Sequence, residues 1–126
     1  MALLWCWTID WPATTIHGAA PNLSADMVYL VAPMMGDTTI ARQLPALFAA
    51  AGLADVRIAE LWTTFSNLKS WPASSAIRRA ARILKASNPW SARVREWLRD
   101  LQKASKKGKF VAKEKVIAVV GRKTAL

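Results

Sequence analysis

Arg42–Ile58, RQLPALFAAAGLADVRI, is the stretch that decides how this chain folds. Leu44, Leu47 and Phe48 recur at helical spacing, and Ala49, Ala50 and Ala51 favour a helix strongly. Gly52 stands where a helix stops, because glycine alone enters the left-handed cap conformation without steric cost. Leu53 can fold back on the last turn, after which Val56 and Ile58 alternate with Arg57 as in a half-buried strand. A helix that halts on glycine and feeds a strand is half of an α/β crossover, so the predicted class is α/β.

Upstream, residues 2–9 (ALLWCWTI) suit a strand buried on both faces, with Cys6 packed inside as a small apolar group. Asp10-Trp11-Pro12 is expected to end it, since Pro12 cannot donate to a ladder, and residues 13–21 read as loop. Asn22 or Ser24 can cap a helix through Met27, Leu30 and Val31, stopped by Pro33 and Gly36. Asp37, Thr38 and Thr39 offer a cap for the next helix, where Pro45 calls for a start near Leu44 or a bend.

Downstream, the strand is expected to reach Leu61 or Trp62, with helices over Pro72–Lys85 and from Asn88-Pro89 onward. In the second of these helices Trp90, Val94, Trp97, Leu98 and Leu101 form an apolar stripe, bordered by Arg93, Arg95, Arg99 and Lys103. Val116–Val120, closed by Gly121, is the clearest strand.

At 126 residues the chain has room for one domain, spanning 1–126. No apolar run is long enough to span a bilayer, and no basic leader segment opens the chain, so a cytoplasmic protein is expected. A single cysteine excludes an internal disulfide and a cysteine-built metal site. Charge is divided unevenly. Residues 1–60 hold two basic and five acidic side chains, whereas residues 61–126 hold sixteen and three. The second half therefore presents a field that attracts anions.

Arg42-x-Leu-Pro-x-Leu followed by Ala51-Gly52-Leu53-x-Asp55-Val56 resembles the last helix-to-strand unit of class I S-adenosylmethionine-dependent methyltransferases. The closest type is the small-molecule one of ubiquinone and menaquinone biosynthesis. LLWCWTIDW resembles that family's fifth strand with its Asp-Trp end, and KVIAVVGRK resembles the final strand. The resemblance implies a partial Rossmann-like sheet of the last strands only: Leu3–Ile9, Val56–Leu61 and Lys115–Val120. The final strand would be antiparallel and lie between the other two, and residues 63–110 would form a helical insertion on the substrate side. It also implies that the missing part of the sheet belongs ahead of the first strand. The chain would then be a fragment, a relic or a subunit completed by another chain.

The family binds S-adenosylmethionine through a Gly-x-Gly-x-Gly loop and a later acidic residue. The five glycines here are all isolated, so no cofactor is expected on this chain alone. Asp10 and Trp11 match the family's Asp-Trp beside the methyl acceptor, and Arg42 matches its Arg before Leu-Pro. Trp62 and Trp71 are candidates to line a small-molecule acceptor pocket. His17 lies just beyond and could serve as a general base, histidine being the side chain that titrates near neutral pH. Blander roles stand beside these: a turn for Asp10, an exposed loop for His17, a surface or helix-start position for Arg42, and apolar cover for Trp62 and Trp71.

A second class of function comes from the charge. Arg78, Arg79, Arg82 and Lys85 share a helix face, and Lys103, Lys106, Lys107 and Lys109 cluster at the next helix end. Such faces can neutralise phosphates of nucleic acid or another polyanion, or can simply be solvated. The expected partners are therefore a small methyl acceptor in the intact enzyme, a complementing chain or second copy at the open sheet edge, and, on the second reading, nucleic acid.

Overall fold

The structure, a computed structural model, describes residues 2–32, 39–84 and 87–124. The expected helix stop at Pro33 and Gly36, the caps Asp37 and Thr38, and Lys85 lie outside them. In chain order the elements are β1 (Leu3–His17), α1 (Pro21–Val31), α2 (Ile40–Ala50), β2 (Ala54–Phe65), α3 (Ala73–Ile83), α4 (Ser91–Lys106) and β3 (Val111–Arg122). The three strands form one open sheet in the order β1-β3-β2, with β3 antiparallel to both neighbours. The α/β class, the reversed final strand and its central place agree with expectation, as do helices between the last two strands.

Residues aligned across a ladder share a face, and faces alternate along each strand. Cys6, Val119 and Ile58 therefore lie on one face, with Thr8, Ile117 and Glu60 in the next row. α2 packs there, closing a small core of Ala41, Leu44 and Phe48 on Ile117 and Val119. On the opposite face lie Trp5, Val120 and Arg57, then Trp7, Ala118 and Ala59, then Ile9, Val116 and Leu61. Further along, this second face is covered by α1, α3 and α4, whose Met27, Ile77, Val94, Trp97 and Leu101 are fully buried. Nearer the start of β1 it is open: Trp5 is 66% exposed, Trp7 56% and Leu61 64%.

Several local expectations are corrected. β1 is not buried on both faces: Leu3–Trp7 are exposed, Cys6 among them, and on the sheet face that Cys6 shares α2 closes its core on Ile117 and Val119 of β3. Nor does β1 end at Pro12: the strand runs to His17 across a bulge between Asp10 and Thr15, where register with β3 shifts. A bulge leaves residues outside the ladder, so Pro12 gives up no bond that neighbouring residues make. Residues 13–17 are thus strand, not loop.

α1 starts on Pro21 rather than behind an Asn22 or Ser24 cap; proline's missing N–H costs nothing in a first turn. α2 starts at Ile40 and carries Pro45 inside it, ahead of the expected Leu44 start. β2 extends to Phe65, so the insertion begins later than residue 63. Before α4, the Asn88 side chain accepts a bond from Trp90 N–H (2.8 Å), and the helix proper begins at Ser91. Gly121 lies within β3 rather than closing it.

Gly52 does end α2 as expected. Its φ is +82°, and Leu53 N–H returns to Phe48 O at 3.2 Å. At Gly18, just past β1, an added Cβ would stand 2.8 Å from that of Ala104. Only glycine lets the chain leave the sheet this close to α4.

Candidate functional site

The six residues singled out by sequence fall into three places. Asp10 and Trp11 are neighbours on a strand, so their side chains leave opposite faces and cannot line one pocket side by side. Asp10 lies on the α2 face. It is 2% exposed and is no turn residue: Arg42 Nε donates to Oδ2 at 3.3 Å and stands 3.3 Å from Oδ1. Arg42, in the first turn of α2, keeps its side chain 59% exposed, so a half-solvated guanidinium covers a buried carboxylate. Trp62 shares the row of Asp10 through Lys115 and is exposed.

Trp11 and Trp71 belong to the core of the other face. Their rings stack with centroids 6.3 Å apart, and Phe110 lies 5.9 Å from Trp71. Trp11 Nε1 donates to Val28 O at 2.8 Å, anchoring α1 on β1. Trp71 Nε1 donates to Glu114 Oε1 at 2.6 Å. Both tryptophans are core, which for Trp71 is the blander of its two expected roles and for Trp11 departs from a place beside the acceptor.

His17, the last residue of β1, is exposed and lines a cavity of about 390 Å³ between the bulged end of β1 and α1. Pro12, Thr14, Ser24 and Val28 line it too. Thr14 is buried, and its Oγ1 has no hydrogen-bond partner among the described residues. Buried hydroxyls are nearly always satisfied, so this one marks a place where a polar group is wanted. Ser24 Oγ accepts Trp97 Nε1–H at 3.0 Å, which leaves the serine proton for another acceptor. The cavity thus joins an imidazole and two hydroxyls to apolar walls, and its size suits a small molecule. Asp10, Arg42, Trp62 and Trp71 do not line it.

Glu114 was not singled out. It is buried beside Trp71 on β3, and burial raises its carboxyl above the ordinary 4.5 while the Trp71 bond pulls the other way. The signal was present in the alternation of Ala112, Glu114, Val116 and Ala118, which puts one acid on an otherwise apolar face.

Neither turn leading from a strand into a helix, 18–20 or 66–72, is glycine-rich, so neither is the Gly-x-Gly-x-Gly loop by which the resembled family holds S-adenosylmethionine. Among the described residues there is no acid, histidine or cysteine cluster able to hold a metal ion, and no helix long and apolar enough to cross a membrane. No protein-family model matches the chain, and no curated protein or solved structure matches it.

Proposed function

We propose that this chain is the C-terminal portion of an S-adenosylmethionine-dependent methyltransferase acting on a small molecule, and that it is inactive without the rest of that fold. The observation that carries the reading is β3, reversed and set between β1 and β2, as the resemblance to that family requires. The exposed Trp5 and Trp7 support it, because a strand so apolar is normally paired and covered. On this reading the cavity beside His17 is on the acceptor side, with His17 the base and Thr14 a hydrogen-bonding group. Asp10 and Arg42 act as a pair that fixes α2 on the sheet. The intact fold would hold S-adenosylmethionine, which supplies the methyl group; this chain would hold the acceptor. The cytoplasm is the proposed compartment.

A fusion tests this. The glycine-rich half of a small-molecule methyltransferase, joined ahead of Ala2, is expected to bury Trp5 and Trp7. Tryptophan emission should move to shorter wavelength, and amide exchange should slow along Leu3–Trp7. A fusion that binds S-adenosylmethionine with neither change would contradict the reading.

The second reading, a basic module for nucleic acid, rests on the exposed arginines of α3 and lysines at the end of α4. Trp97 is fully buried and cannot serve as a stacking platform. Gel shifts over a salt series test it: binding that weakens steeply with salt supports it, and no shift at low salt removes it.

A further inference from the structure

We infer that the groove between α3, the end of α4 and the turn at 66–70 is a binding site for a small phosphorylated molecule carrying a diphosphate or similar multivalent group. Lys69 from the turn, Arg78 from α3 and Lys106 from the last position of α4 meet on a cavity of about 370 Å³. Asn67, Gln102 and Ser105 complete its polar lining. No carboxylate lines it, and none of the ion pairs among the described residues uses any of the three cations.

Three like charges that line one groove repel one another, and folding brings them together from separate stretches of sequence. An anion reverses the sign of that term. Formal charge favours a diphosphate, whose roughly three negative charges at neutral pH match the three cations. The guanidinium of Arg78 offers a planar fork to two phosphate oxygens, and the two ammonium groups take the remainder. Ser105 Oγ already accepts Leu68 N–H at 3.1 Å, so its own proton is left to donate. That same bond ties the turn to α4 and holds Lys69 near Lys106.

The volume falls in the range of small-molecule sites. No aromatic residue lines the groove, so it lacks the stacking surface that single-stranded nucleic acid uses. The inference is independent of the transferase reading, because a chain unable to bind the cofactor keeps this groove intact.

Calorimetric titration with inorganic pyrophosphate near physiological salt tests it on the whole chain. One saturable site is expected. Arg78→Gln and the double variant Lys69→Gln/Lys106→Gln should each weaken it by about tenfold or more. Arg95→Gln/Lys123→Gln, a pair outside the groove, should change it by less than about twofold. All five side chains are exposed, so circular dichroism should show every variant folded. Absence of saturation overturns the inference, as does equal loss in both sets, which would reduce it to the net charge. A mixed-sequence RNA that binds more tightly than pyrophosphate, with equal loss in both sets, also overturns it.

Discussion

Glu114 is a carboxyl buried on β3 beside Trp71, and the fold alters its titration. Burial lifts its carboxyl above 4.5, the value it takes once unfolded. Between that value and the raised one, the folded chain holds a proton that the unfolded chain has released. Stability contributed by this group therefore falls as pH rises through the window, and the whole penalty is present above it. Gln keeps an oxygen for Trp71 Nε1–H and carries no charge. Glu114→Gln is thus expected to raise the melting midpoint at pH 8, with the gain shrinking toward pH 4, as scanning calorimetry over a pH series would read. A gain independent of pH would mean that the carboxyl does not titrate differently on folding. The Asp10–Arg42 pair is a different case, a buried acid with its cation alongside, and it fastens α2 where Asp10 would otherwise be stranded.

Among the elements, those set by local chemistry were legible and those set by distant contacts were not. Gly52 could be read as the end of α2 because a positive φ is a property of the residue itself. Replacing it with alanine is expected to cost about 1 kcal/mol in a denaturant titration, since a Cβ resists that conformation while the space around it is open. A loss near zero would mean that the cap rearranges freely. The centre of β3 was legible from its β-branched Val116, Ile117, Val119 and Val120, but its start at Val111 and the place of Gly121 inside it were not. The continuation of β1 past Pro12 was not, because a bulge depends on what the partner strand offers opposite it. Burial of Cys6 was misread because an apolar strand announces that it should be covered, not that a cover is present. The candidate site was legible only in part. His17 does line a cavity, but Asp10 and Trp11 part company across the sheet, a consequence of strand alternation that the motif alone conceals.

The molecule as a whole is well packed at one end and open at the other. α1, α3 and α4 close a tryptophan-rich core around Trp71 and Trp97, whereas the sheet beyond Ile9 presents Trp5, Trp7 and Leu61 outward. Each such side chain is more than half exposed and so forgoes part of its burial, about 1–2 kcal/mol. β1 also keeps one free edge, a template for pairing with another chain. Self-association through this region should follow from concentration alone. Trp5→Ser/Trp7→Ser is expected to lower it in sedimentation velocity without loss of helical circular dichroism. Unchanged association would shift the contact to another surface.

The central proposal is that the methyl donor is held by another part of the intact fold and not by this chain alone. Titration of S-adenosylmethionine into the purified chain, followed by calorimetry, tests it most directly. The account predicts heats of dilution only, with no saturation; a saturable isotherm at micromolar concentration and one-to-one stoichiometry would contradict it.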